Sequence, residues 1–317
     1  YLYEHSNDPK LKDWAVNYTL RVEEQKHNTR HHDVGFMIFN SFGHAFRITG
    51  NTKYKDVIKT ASRSLITRFD PDVGCIQSWN SRKKWPYPVI IDNMMNLEIL
   101  MWSSKKFDRP KFKNVAVSHA DKTMKHHFRD DYSSYHVVSY DTLTGEPEKK
   151  QTHQGYSDES AWARGQAWGL YGYTMMYRET GKAEYLEQAQ HIADFIITHP
   201  RLPEDKIPYW DFDDPDIPDT YPDASAGAIM CSALIELSQF ADDEKSNEYL
   251  EVAEKQLRSL NSSDYRAEMG KNANFLLKHS VGNLNKNSEV DVPLPYADYY
   301  YVEAMMRYKN LFLKNGY

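Results

Sequence analysis

Two cysteines in 317 residues, Cys75 and Cys231, are too few and too far apart for a disulfide framework. Both are read as reduced structural thiols. No apolar run approaches the length of a transmembrane helix, and no signal peptide is visible. Basic charge is in short supply: 39 Lys and Arg stand against 45 Asp and Glu, a net charge of −6. That argues against a nucleic-acid partner, which needs a basic stripe. A small anionic substrate stays open, because one or two local cations override a modest global field. No glycine-rich, phosphate-cradling loop occurs. His31 and His32 are adjacent rather than four apart, so they do not form the paired ligands of a zinc helix. No metal and no organic cofactor is expected. The chain starts with Tyr rather than Met, so a removed export signal stays open, and with it bacterial cytoplasm or periplasm.

What the chain does have is apolar and aromatic bulk. The hydrophobic share is 40%, and there are 23 Tyr and 7 Trp. Rings with polar tips suit sugar-stacking clefts and serve equally as ordinary core residues. A weak repeat organises this material: a charged residue, an aromatic or Leu, then a small or aliphatic residue four later. It appears as Lys10-Leu11 with Ala15, Lys53-Tyr54 with Ile58, Lys111-Phe112 with Ala116, Glu184-Tyr185 with Ala189 and Glu248-Tyr249 with Ala253. Turn residues precede each copy, and each copy predicts a charged amphipathic helix.

Between the copies lie less charged stretches, roughly 33–49, 90–106, 160–180, 225–241 and 296–313, apolar on more than one face. Helices of that kind are buried. Charged outer helices alternating with buried inner ones predict an all-α fold, an (α/α)6 toroid or barrel, as one catalytic domain over residues 1–317. An open α-solenoid would have shorter, more regular repeats. Six-fold closure needs one more outer helix and most of an inner one, so about 40–55 further N-terminal residues are expected from helix lengths. A monomer or weak dimer is expected.

Chemistry-bearing residues gather at the starts of the inner helices. The segment His31-His32-Asp33-Val34-Gly35-Phe36 opens the first, and Asp92 follows Val89-Ile90-Ile91 at the head of the second. A single Asp at a helix start is commonly a cap. Two on adjacent inner helices suggest a pair in which one carboxyl delivers a proton while its neighbour stays ionised. A second cluster is His153-Gln154-Gly155, Asp158, and Trp162 to Trp168 around Arg164. A buried Arg needs an anion, here either an internal Asp or a substrate acid. A third is Ser133-Ser134-Tyr135-His136, and a fourth the polar loop from Lys278 to Asp291, which could close over a ligand or lie on the surface.

In this order, these segments resemble the unsaturated glucuronyl hydrolases of glycoside hydrolase family 88. The resemblance covers almost the whole chain and rests on residues 31–36, Ile90-Ile91-Asp92-Asn93, 133–136, Thr152-His153-Gln154-Gly155, Trp162 to Trp168, and Ala297-Asp298-Tyr299-Tyr300. It implies removal of the unsaturated uronic acid at the non-reducing end of lyase-generated oligosaccharides, of glycosaminoglycan type. The chemistry it implies is hydration of the C4=C5 enol ether. Asp92 would be general acid and base. Asp33 would bind sugar hydroxyls and tune its neighbour, with His32 beside it. His136, Gln154, Arg164 and Trp168 would line the uronate subsite, with Trp162 packed nearby. No cofactor, nucleic acid or membrane is implied. One departure is a missing N-terminal helix and Trp-containing start of the first inner helix, in keeping with the expected upstream residues. The neighbouring unsaturated rhamnogalacturonyl hydrolases, acting on pectin fragments, and a non-catalytic carbohydrate-binding toroid are the alternatives. Lys278 and Lys286 are candidate cations for a sulfated leaving sugar.

Overall fold

The computed structural model describes residues 1–314, with side chains to residue 312; the end of the last expected inner helix and Asn315-Gly316-Tyr317 lie outside the described side chains. Two compact units are resolved: Leu2–His127 with Val137–Lys150, and the remainder from Gln151 onward with Phe128–His136 and Tyr1.

The first unit contains α1 (Leu2–Ser6), α2 (Pro9–Arg21), α3 (Val34–Ile38), α4 (His44–Thr49), α5 (Lys53–Ile66), α6 (Glu98–Phe107) and α7 (Pro110–His126). Local chemistry sets several starts. Asp8 caps α2 by accepting the Lys10 N–H, and Pro9 follows at the first helical position. α5 buries Tyr54, Val57, Ile58, Ala61 and Leu65, one stripe at helical spacing. Two small sheets complete the unit. β1 (Phe69–Asp70) pairs antiparallel with β2 (Cys75–Ile76). β3 (Pro88–Ile90), β4 (Val137–Tyr140) and β5 (Pro147–Gln151) form a second sheet in that order, Val89 standing opposite Val138.

The second unit is built from α8 (Ala163–Thr180), α9 (Ala183–Thr198), α10 (Ala224–Leu237), α11 (Asp243–Leu260) and α12 (Pro295–Lys314). All residues of α10 are buried, as is α8 from Ala163 to Met176. α9 and α11 bury only a stripe each, Tyr185, Ala189, Ile192 and Ile196 on one and Tyr249, Val252, Ala253 and Leu260 on the other. α10 packs against α8, α11 and α12, and α8 against α9. The expected alternation of wet outer and dry inner helices is therefore present. The far ends of the inner helices are joined by buried charge: Arg307 bridges Glu236 at 2.6 Å, Arg178 reaches Glu236 at 2.5 Å, and Ser232 donates to Glu303 at 2.6 Å.

Three expectations need correction. The first inner stretch, 33–49, is not one uniform helix: a π-helical turn, Phe39–Gly43, joins α3 to α4. Asp92 does not head an α-helix. The β-branched run through Ile90 pairs with β4, so the chain is still extended there and then enters a 3-10 turn, Ile91–Asn96, before α6 begins at Glu98. α11 starts at Asp243, five residues before its repeat copy, because Asp242 caps it by accepting the Lys245 N–H. Among the described residues, no helix is long and apolar enough to cross a membrane.

Candidate active site

The first unit brings the helix start that follows Asp33 against Asn96, on the turn bearing Asp92. The Phe36 N–H donates to Asn96 Oδ1 at 2.7 Å. A Cβ on Gly35 would fall 2.8 Å from the Asn96 carbonyl oxygen and 2.9 Å from its Oδ1. Only glycine allows that approach, which explains the Asp-Val-Gly-Phe string. Asp33 occupies the N-cap position of α3 yet does not cap it. Asp8, Asp223 and Asp242 do use their carboxylates as caps. The capping explanation, sufficient for those three, fails for Asp33.

Its carboxylate is instead held by side chains. His32 Nε2 lies 3.3 Å from Oδ1 and His31 Nδ1 3.5 Å from Oδ2. The Asn28 amide donates to His31 Nε2 at 2.9 Å, so the His31 proton is on Nδ1, facing the acid. Burial alone would raise the Asp33 carboxyl. The charge of His32, a hydrogen bond and charge from His31, and a hydrogen bond from Asn96 outweigh it and hold the group below the ordinary Asp value. The side chain nevertheless keeps 42% of its surface accessible, so an ionised acid is presented to solvent. Asp92 is only 7% exposed, among the fully buried Ile91 and Met94. One open, ionised carboxylate and one buried carboxyl on neighbouring turns have the composition of an acid–base pair.

The second unit gathers His136, Gln154, Trp162, Arg164 and Trp168. His136 is buried, and its Nδ1 accepts the backbone N–H groups of His153 and Gln154 at 3.2 and 3.1 Å. Its ring lies 4.5 Å from that of Trp162, which stands at the N-cap of α8. Gln154 donates through Nε2 to the Gly282 carbonyl at 2.9 Å. Trp168, one helical turn beyond Arg164, meets Tyr300 edge-on at 5.4 Å.

Of the two anions that sequence left open for Arg164, the structure supplies an internal one. Its guanidinium pairs with the buried Asp223 at 2.9 Å, donates to the carbonyls of Val281 and Gly282, and lies 4.5 Å over the Trp162 ring. Asp223 also caps α10. The pair therefore fastens the 280–292 loop, itself closed by reciprocal Ser280–Val292 backbone bonds, to α8 and α10. Asp223→Ala strands a buried Arg charge and removes a cap, so we expect a loss of about 3–5 kcal/mol in urea unfolding. Replacing the exposed Arg258–Glu254 pair leaves the midpoint unchanged.

Sequence reasoning missed Asp223, because a capping Asp and an Arg 59 residues away share no local pattern. It also missed Asp211, buried beneath the Gln154 segment, which accepts from Tyr156 N–H at 2.8 Å and Ser160 Oγ at 2.7 Å. Burial carries the Asp211 carboxyl up to about 6 despite those donors. Lys278 donates to the Ser263 carbonyl at 2.9 Å, and Lys286 lies 3.0 Å from His153 Nε2. Among the described residues no group of three His, Cys, Asp or Glu side chains is arranged to hold a metal ion.

A helical scaffold with an open and a buried carboxylate on neighbouring turns has the residue types that glycoside hydrolysis uses. The chain belongs to Glycosyl Hydrolase Family 88, which matches residues 1–311. It is 46% identical over 315 residues to an unsaturated glucuronyl hydrolase of Formosa agariphila, covering 99% of this chain and 78% of that protein. Its fold agrees at a TM-score of 0.95 with a crystal structure of an unsaturated glucuronyl hydrolase specific for heparin, at 49% identity, covering 98% of this chain and 82% of that one. An aspartate-to-asparagine mutant of the Streptococcus agalactiae enzyme, solved in complex with dGlcA-GalNAc6S, is 31% identical with a TM-score of 0.82, covering 96% of this chain and 77% of that one. The all-α expectation and the family resemblance both stand.

Proposed function

We propose that this hydrolase removes the non-reducing-end Δ4,5-unsaturated uronic acid from glycosaminoglycan-derived oligosaccharides. The observation that carries the reading is the unequal pair: Asp33 open and held ionised by two imidazoles, and Asp92 buried on the turn that Gly35 admits. Asp92 delivers a proton to C4 of the enol ether, and positive charge develops at C5 and the ring oxygen. Water adds at C5 and returns its proton to the Asp92 carboxylate, restoring the acid. The product is a hemiketal at C5. Its opening gives a C5 ketone and a hemiacetal at C1, whose collapse releases the next sugar. No bond to the leaving sugar breaks in the protonation step, so the acid acts on the double bond rather than on the glycosidic oxygen. Asp33 binds hydroxyls of the sugar and sets the field around Asp92, with His32 fixing its orientation. His136, Gln154, Trp162 and Trp168 form the uronate subsite, and Arg164 shapes it through the carbonyls of Val281 and Gly282.

The leaving sugar proposed is that of heparin-type chains, on the likeness to the heparin-specific enzyme. The test is a panel of unsaturated disaccharides from heparin, chondroitin and pectin, with saturated counterparts, followed by loss of the enol-ether ultraviolet absorbance. Heparin-derived unsaturated disaccharides should be consumed fastest and saturated ones left intact. Hydrolysis of saturated uronides, or turnover confined to the rhamnose-linked pectin fragment, would overturn the assignment.

A further inference from the structure

Five consecutive backbone N–H groups around Gln154 go to side chains rather than to backbone carbonyls. Thr152 donates to Asp158 Oδ1 at 2.8 Å, His153 and Gln154 to His136 Nδ1, Gly155 to Thr152 Oγ1 at 2.8 Å, and Tyr156 to Asp211 Oδ2 at 2.8 Å. Backbone polar groups taken from water need partners, and an irregular turn must find them in side chains. Asp158 is exposed and Asp211 fully buried, so the interior end of the turn is fixed at Asp211. Asp211 is itself tied to the entry of α8. Its backbone lies opposite Trp162 in an antiparallel bridge, the Phe212 N–H donating to the Ala161 carbonyl at 3.0 Å and the Ala163 N–H to that of Trp210 at 3.1 Å.

A local role accounts for only half of this carboxylate. Oδ1 accepts the Asp213 N–H at 2.9 Å, the turn that an aspartate commonly makes with the backbone two residues on. Oδ2 accepts the Tyr156 N–H and the Ser160 hydroxyl, 55 and 51 residues away. The turn is seated closely against it: a Cβ on Gly155 would fall 3.0 Å from Oδ2, 2.8 Å from Thr152 Oγ1 and 2.9 Å from the Trp162 Cβ. What this turn holds in place is the pair of N–H groups on His136, at 3.2 and 3.1 Å. A ring nitrogen that accepts carries no proton, so His136 is neutral with its proton on Nε2. We propose that Asp211 is a positioning residue of the uronate subsite: by holding Tyr156 and Ser160 it keeps the His153 and Gln154 N–H groups on His136 Nδ1 and fixes that ring as an Nε2–H donor. The consequence for binding rests on the place given to His136 and Gln154 in the subsite above.

Asp211→Leu keeps the branched shape and removes both acceptor oxygens. KM for the unsaturated disaccharide should rise about 10-fold, the worth of one misplaced hydrogen bond, while kcat stays within about threefold. D211N keeps one oxygen and should recover part of the loss. A D211L enzyme with wild-type KM overturns the proposal whatever its melting temperature, and so does a loss confined to kcat. Should D211L not fold, Gly155→Ala pushes the same turn off the carboxylate; the same rise in KM is expected, and an unchanged KM overturns the proposal. Long-range nitrogen–proton spectra need no turnover. His136 should be the Nε2–H tautomer in the wild type, with a second tautomer appearing in D211L or Gly155→Ala. An Nδ1–H tautomer or an imidazolium in the wild type, or a His136 spectrum that the variants leave unchanged, overturns the proposal. A wild type that leaves every unsaturated uronide untouched sinks the functional reading, while these spectra still decide the role of Asp211.

Discussion

Asp92→Asn should abolish consumption of the unsaturated disaccharide. Removing a general acid typically costs about 10²–10⁴-fold. Here the same group also takes back the proton from the attacking water, so the loss belongs at the upper end. Asn is isosteric with Asp, and the position is 7% exposed among apolar neighbours, so the variant should fold and melt near the wild type. Substrate should still bind, because the open Asp33 with His31 and His32 is untouched. The checks are enol-ether absorbance for turnover and calorimetric titration for binding. Unchanged turnover would remove Asp92 from the proton transfer. Lost binding with unfolding would instead place it in the scaffold.

The helix pairs were legible because each outer helix must keep one wet face and each inner helix none. Tyr54 with Ile58 and Tyr185 with Ala189 are buried as the repeat requires. Turn residues and prolines marked starts to within a residue at Pro9, Lys53, Pro110 and Ala183. The Asp92 segment was misread because periodicity cannot separate an apolar strand from an apolar helix start over three or four residues. Pairing of Val89 and Ile90 with β4 decided it, and that pairing spans about fifty residues of chain.

At the site, residue types were legible and connections were not. His31, His32 and Asp33 lie next to one another in the chain, so their meeting needed no fold. Arg164 announced its need for an anion, but Asp223 becomes its partner only once α8 and α10 pack. His119 has no local sign at all. Its hydrogen bond reaches a strand residue 43 positions away, and the Asn93 amide that bonds the same residue arrives from another turn. A face of polar residues at 119, 123 and 126 on an otherwise ordinary outer helix was the available hint, since α7 has no reason to bury imidazoles in a purely apolar contact.

The same logic makes Gly35 sensitive although it carries no functional group. Gly35→Ala brings two opposed effects. Alanine is the better helix former by about 1 kcal/mol, which favours the variant in α3. Against this, its Cβ would sit 2.8 Å from the Asn96 backbone oxygen and 3.0 Å from the Asn96 Cβ, and overpacking of this kind costs about 1–3 kcal/mol. The oxygen belongs to backbone and cannot swing aside as a side-chain tip could, so the turn itself must move. The Phe36 to Asn96 hydrogen bond lengthens with it, and Asn96 retreats from Asp33. Net stability should therefore fall only modestly. Activity should fall about 100-fold, because displacement of a reacting group by about an ångström costs that much. Gly43→Ala is the matched control. It too is helical, but its Cβ would meet only ring carbons of Phe39, at 3.1 Å and beyond, and an aromatic side chain can tilt. That variant should keep its turnover. If Gly35→Ala folds and retains wild-type kcat, the spacing of the two carboxylate turns is not what the glycine protects.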